Sequence, residues 1–92
     1  MTFVDFSSRF KGCIRREKLD PDKVFTAMKL AVAAWGQPHL HTGRGIRRIS
    51  ANTFECRLDL DTRLVFSPHG DALRFDFAGN HDQVRAYLKN RR

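Results

Sequence analysis

Apolar positions along this chain follow two rhythms, a helical one in the first half and an alternating one in the second. Phe10, Cys13 and Ile14 recur at i, i+3 and i+4 just after Ser7 and Ser8, whose hydroxyls suit a helix N-cap. That spacing predicts a first helix running to about Lys18, weakened by Gly12. Asp20-Pro21 restarts a helix, with a capping carboxylate followed by proline at the first helical position. Val24, Met28, Ala31 and Trp35 hold one face of this second helix, and Phe25 and Val32 widen the stripe. Gly36 and Pro38 stop it. Two antiparallel helices joined by a tight turn follow, preceded by a short candidate strand from Thr2 to Phe6.

After residue 45 the period falls to two. Phe54, Cys56, Leu58 and Leu60 alternate with Glu55, Arg57, Asp59 and Asp61, which reads as a strand with one apolar and one charged face. Ile46 to Ser50 is a candidate strand before it, turned by Ala51-Asn52-Thr53. Arg63 to Ser67 is another, closed by the turn formers Ser67-Pro68-His69-Gly70-Asp71. Leu73, Phe75 and Phe77 alternate again, Gly79-Asn80 breaks the run, and His81 to Lys89 forms a short last helix that buries Val84 and Leu88. The expected fold class is α+β. A helical hairpin packs on one face of a mostly antiparallel four-stranded sheet, in the order β-α-α-β-β-β-α.

Composition narrows the function. Ninety-two residues make a single domain, 1–92, and 41% apolar content with eight Phe can fill a modest core. Seventeen Lys and Arg face ten Asp and Glu, a net charge of +7, and twelve of the cations are Arg. Arg offers a forked donor to phosphate, so the balance points to nucleic acid or another polyanion. The first residues lack a basic stretch followed by an apolar one, and the longest apolar run, Leu30 to Trp35, is too short to cross a bilayer. A cytoplasmic protein with no membrane partner is the expectation. Cys13 and Cys56 are too far apart for a CxxC motif, and His39-Leu40-His41 has no ligand at metal spacing, so no metal site and no cofactor are expected.

The ordered segments Gly45-Ile46-Arg47-Arg48-Ile49, Phe54-Glu55-Cys56-Arg57-Leu58, Thr62-Arg63-Leu64-Val65-Phe66 and the stretch from Asp71 to Asp82, ending Gly79-Asn80-His81-Asp82, resemble the RelE/ParE superfamily of bacterial toxins. The resemblance spans roughly residues 45 to 88, and the helical hairpin before it agrees in order and length. It implies the toxin of a toxin–antitoxin pair. RelE-like members cut mRNA in the ribosomal A site without a metal; ParE-like members inhibit DNA gyrase and cut nothing. A module of the same fold that only binds RNA or a partner is a third reading. The site decides among them, because the fold is shared.

RNA cleavage of the RelE kind uses the 2′-hydroxyl as an internal nucleophile. It requires cations aimed at the phosphorane and a group that moves protons near neutral pH. The resemblance places a functional arginine at Arg63, which also suits an ion pair with Asp59 or Asp61. It places a histidine at His81, whose ordinary pKa near 6.5 fits proton transfer; His81 and its neighbours Asn80 and Asp82 suit a helix cap equally well. Arg57, on the polar face of its strand, is a further phosphate ligand in the resemblance, with Glu55 beside it to orient it or accept a proton; a salt-bridge ladder explains both as well. Tyr87, the only tyrosine, stacks on a base or donates a proton in related nucleases, or else fills core. Arg44, Arg47, Arg48, Arg91 and Arg92, with Arg85 one turn after His81, form the expected footprint on ribosomal RNA. Better-known members carry Lys pairs on the central strands, whereas this chain has no Lys between residues 30 and 88, which points to the histidine-using members. The implied partners are a cognate antitoxin, the ribosome and mRNA.

Overall fold

The computed structural model describes residues 3–37 and 45–90. Strand β1 (Phe3–Phe6) leads into helices α1 (Ser8–Arg16) and α2 (Pro21–Ala34). Strands β2 (Arg47–Ser50), β3 (Thr53–Arg57), β4 (Arg63–His69) and β5 (Ala72–Gly79) follow, then helix α3 (His81–Asn90). The class is α+β as the patterning predicts, but the sheet has five strands rather than four, in the order β1-β5-β4-β3-β2. Every candidate stretch pairs. The four-residue edge strand β2 turns at Ala51-Asn52 and runs back antiparallel along β3, while β1 adds to the far edge parallel to β5.

Local chemistry sets the helix limits. The Ser7 hydroxyl accepts the Phe10 N–H at 3.2 Å and opens α1. Lys18, at φ 52° in the left-handed region, closes the run two residues after α1 ends at Arg16. The Asp20 carboxylate accepts the Asp22 N–H at 2.9 Å and Pro21 occupies the first turn of α2, as Asp20-Pro21 implies.

The two faces of the sheet are covered unequally. Phe10 and Cys13 from α1 and Val24, Met28, Ala31 and Ala34 from α2 meet Cys56, Leu64, Phe66, Leu73 and Phe75 in the main core. Trp35 is half-buried and stands edge-on to Phe54 and Phe66, with ring centroids 4.8 and 5.7 Å away. Phe25, which the helical pattern assigns to the core stripe, is 55% exposed. Burial pushes the Cys56 thiol up to about 12, with the Glu55 carboxylate adding to the shift, so Cys56 behaves as a small apolar residue. On the opposite face Val65 and Val84 are buried, so α3 packs over the strand positions that alternate with the core. Among the described residues no helix is long and apolar enough to cross a membrane.

Candidate active site

The second face of the sheet carries the charged residues in two adjacent rows. Arg57 on β3 lies opposite Arg63 on β4, and Arg63 lies opposite Gly79 on β5. In the neighbouring row Arg47 faces Glu55, which faces Val65, which faces Phe77. The chain leaves β5 at Gly79 and enters α3, so His81 stands two residues beyond the end of the Arg57–Arg63 row.

Glu55 links the rows. Its side chain is only 5% exposed, and its Oε2 receives Nη2 of Arg47 at 3.2 Å and Nε of Arg63 at 3.4 Å. Arg63 is further fixed by donating from Nη1 to the Asp59 carbonyl at 3.1 Å. The ion pair that the sequence allows between Arg63 and the Asp59 or Asp61 carboxylates is therefore replaced by one with Glu55. The charged face is also not simply solvated: α3 covers part of it, which is why Glu55 is buried and needs two cations.

Asn80, not His81 or Asp82, caps α3. The Asn80 Oδ1 accepts the Gln83 N–H at 2.8 Å, and Gln83 Oε1 accepts the Asn80 N–H at 2.8 Å, a reciprocal capping box. Gln83 Nε2 also donates to Glu17 Oε2 at 3.3 Å, which ties the start of α3 to the end of α1. The exposed His81 ring is thus outside the cap, on the first turn of a helix whose positive end adds to the field of Arg63. His81 shares a recess of about 420 Å³ with Arg47, Glu55, Val84 and Arg85. A second recess of about 310 Å³ brings it together with Arg63, Leu60 and Asp61.

Solved structures share this architecture. YafQ from E. coli superposes with a TM-score of 0.67 at 14% identity, covering 91% of this chain and 98% of that one. YafQ in the E. coli DinJ-YafQ toxin-antitoxin complex gives 0.66 at 14%, covering 90% and 96%. YoeB from Staphylococcus aureus, solved as a dimer, gives 0.62 at 11%, covering 87% and 97%. The chain shares the fold of these solved structures. No family model and no curated protein matches the sequence.

On this shared scaffold the sequence-derived site residues divide into groups. Arg63, Glu55, His81, Arg47 and Arg85 converge around the start of α3, and Arg57 flanks Arg63 across the strands. Arg57 also borders a groove between α2 and the end of β3, where its side chain packs on Gly45. Arg48 is occupied at the β2–β3 turn, donating to the carbonyls of Ser50 and Ala51 at 3.3 and 2.9 Å. Tyr87 lines a different recess, on the α1 side of α3, with Arg9, Arg16 and Phe77. Its ring stacks on Phe77 with centroids 4.6 Å apart, and its hydroxyl donates to Asp76 at 2.5 Å. Arg44, Arg91 and Arg92 lie outside the described residues.

Two features escape the patterning. Leu60, which alternation places on the apolar face of β3, is 87% exposed, because β3 ends at Arg57 and the Asp59 carboxylate takes the N–H groups of Asp61 and Thr62 at 2.9 and 2.8 Å. An aspartate two residues before a second polar residue is the available signal for such a turn. The other is Asp76, which gathers Arg9 and Tyr87 around one carboxylate. Burial raises its pKa, but hydrogen bonds from Ser7 and Tyr87 and the charge of Arg9 outweigh burial and hold it below the usual carboxylate value.

Proposed function

We propose that this chain is the toxin of a toxin–antitoxin pair and acts as a metal-independent endoribonuclease on mRNA in the ribosomal A site. The observation that carries this reading is the direct cross-strand pairing of Arg57 with Arg63. Like charges placed opposite one another on a sheet repel. A phosphate bridging them would turn that repulsion into attraction, and the exposed imidazole of His81 stands at the end of the same row.

In the proposed reaction the 2′-oxygen attacks the adjacent phosphorus, and the bond from phosphorus to the 5′-oxygen breaks. The 2′-hydroxyl loses its proton and the departing 5′-oxygen gains one, leaving a 2′,3′-cyclic phosphate and a 5′-hydroxyl. Arg63, with Arg57, stabilises the extra negative charge of the phosphorane. Glu55 holds the Arg63 fork in place from a buried position, which reduces reorganisation at the reacting phosphate. His81 handles the proton at a reacting oxygen. Arg47 and Arg85 hold the flanking backbone, and Arg44, Arg91 and Arg92 extend the contact to ribosomal RNA. Tyr87 supports α3 through Asp76. A small domain suffices because the ribosome presents the RNA. Its cognate antitoxin neutralises the basic face, as DinJ assembles with YafQ in the E. coli complex. A cytoplasmic location goes with these proposed partners.

The test is cell-free translation with wild type and the Arg63→Ala/His81→Ala double variant, with mRNA 5′ ends mapped. Wild type should block synthesis and leave new ends at A-site codons, and the double variant should do neither. Equal inhibition by both proteins would remove these residues from the mechanism. Inhibition of gyrase supercoiling with mRNA left intact would identify a ParE-like inhibitor, and ribosome binding with neither effect would identify a non-toxic binding module.

A further inference from the structure

One side chain joins the first turn of α3 to the end of α1. Gln83 Oε1 accepts the Asn80 N–H at 2.8 Å, and Gln83 Nε2 donates to Glu17 Oε2 at 3.3 Å. A single amide can do both, because it carries an acceptor and a donor on one carbon. Glu17 is a firm partner. It caps α1, its N–H donates to the Cys13 carbonyl at 2.9 Å, and Arg16 Nε reaches its Oε2 at 3.0 Å. Phe10 and Cys13, at 1% and 0% exposure, seat α1 in the main core.

The end of β5 is shaped around the same amide. A Cβ on Gly79 would lie 2.7 Å from Gln83 Oε1, 3.0 Å from Gln83 Cβ and 3.1 Å from Phe77 Cε2. Its φ is not in the left-handed region, so close approach rather than backbone angle requires the glycine. Gly79 is also the residue that pairs with Arg63 across β4 and β5. His81 comes two positions later, and its exposed ring makes no hydrogen bond to another described residue. Its place relative to Arg63 is therefore set chiefly by the backbone on either side, at Asn80 and Gln83. Burial adds little, since Val84 is the one fully buried residue of α3, and the stack of Tyr87 on Phe77 acts a turn farther along.

We infer that Gln83 and Glu17 are positioning residues of the proposed nuclease: the path from α1 through the Gln83 amide to the Asn80 N–H fixes where His81 stands relative to Arg63. The assignment rests on the proposed endoribonuclease reading, and neither residue touches the RNA. Without the Glu17 bond the first turn of α3 can shift against the sheet. A proton-transfer group displaced by a fraction of an ångström works less well. Phosphate binding by Arg57 and Arg63 does not pass through these bonds, so the loss falls on kcat rather than KM.

Gln83→Glu separates the two halves of the contact. A carboxylate at position 83 still accepts the Asn80 N–H, as in a standard capping box. It has no donor for Glu17, however, and sets like charges against each other. Ribosome-programmed mRNA cleavage by this variant should show kcat reduced roughly tenfold with KM unchanged. In Glu17→Gln/Gln83→Glu the amide and the carboxylate trade places, and the bond returns with its direction reversed. There kcat should recover to within about twofold of wild type. Added to His81→Ala, Gln83→Glu should cause no further loss, because its effect runs through His81. Full kcat in Gln83→Glu, no recovery in the exchanged pair, or an equal further loss beside His81→Ala overturns the positioning role and leaves the nuclease reading intact. No cleavage by wild type overturns both.

Discussion

Glu55 and Arg63 form a diagonal pair across β3 and β4, with Oε2 3.4 Å from Nε and both side chains largely withdrawn from solvent at 5% and 24% exposure. Arg47, the second partner of Glu55, is 64% exposed. The two bonds should therefore differ in weight, because an exposed ion pair contributes little and a shielded one leaves an uncompensated charge when broken. Glu55→Ala is expected to lower unfolding free energy by about 1 to 3 kcal/mol. Arg47→Ala should cost less than about 0.5 kcal/mol. Urea denaturation of the two variants checks the ranking, and equal losses would mean that Glu55 is not held by Arg63.

The reciprocal bonds of Asn80 and Gln83 assign helix capping and chemistry to different residues. Asn80→Ala should destabilise by about 1 kcal/mol, the usual worth of an N-cap. His81→Ala should change stability by less than about 0.5 kcal/mol, as expected for an exposed first-turn residue, yet remove most mRNA cleavage. Thermal melts run beside the translation assay separate the two effects. A His81→Ala variant that melts as early as Asn80→Ala would return the histidine to a structural role.

The order of elements and the main core were legible because each helix and strand advertises itself through period and caps. Asp20-Pro21 starts α2 where such a pair starts a helix, and Phe54 and Cys56 alternate onto the core. What period alone does not encode is which long-range partner takes a charged side chain. Glu55 reads as a surface residue until α3, nearly thirty positions later, is seen to cover that face of the sheet. Leu60 continues the alternation in sequence, but a side-chain-to-backbone bond at Asp59 ends the strand first. The candidate residues were legible as types, Arg63 and His81 among them, while their grouping depended on strand register: Arg57 falls opposite Arg63, and Tyr87 turns to the other side of α3.

Asp76 should shape the acid limb of stability. Its carboxyl is held below the ordinary value in the folded chain, burial being outweighed by Ser7, Tyr87 and Arg9. A group depressed in this way contributes stability that is fully present above its unfolded pKa, near 4, and is lost as pH falls through the lower folded value. Wild type should therefore lose stability below about pH 4. Asp76→Asn should start about 1.5 kcal/mol less stable at pH 7, having lost charge-assisted bonds, and then fall less steeply with acid. Asp59, also depressed by its backbone bonds, leaves part of the slope in place. Chemical denaturation at pH 7, 5 and 3 measures the difference, and parallel curves would exclude Asp76 as a source of the acid limb.

Gly45 bears on the candidate site through Arg57. It has φ of +67°, and a Cβ placed there would lie 2.8 Å from the Arg57 Cβ and 3.3 Å from its Nε. Gly45→Ala meets two obstacles at once, a left-handed backbone that costs an L-residue about 1 to 2 kcal/mol and a side chain that must move. The nearest atoms are the Arg57 Cβ and backbone N, which move only with β3, so the substitution should destabilise by at least that backbone cost and also shift Arg57 relative to Arg63. If Arg57 shares the phosphate, Gly45→Ala assayed well below its melting temperature will raise KM for ribosome-bound mRNA. Arg57→Ala keeps the Cβ and backbone N that make the closest contacts, so the double variant should recover little of the stability and none of the affinity. A Gly45→Ala protein that is destabilised yet binds as tightly as wild type would place Arg57 outside the substrate contact and leave Arg63 as the phosphate ligand on its own.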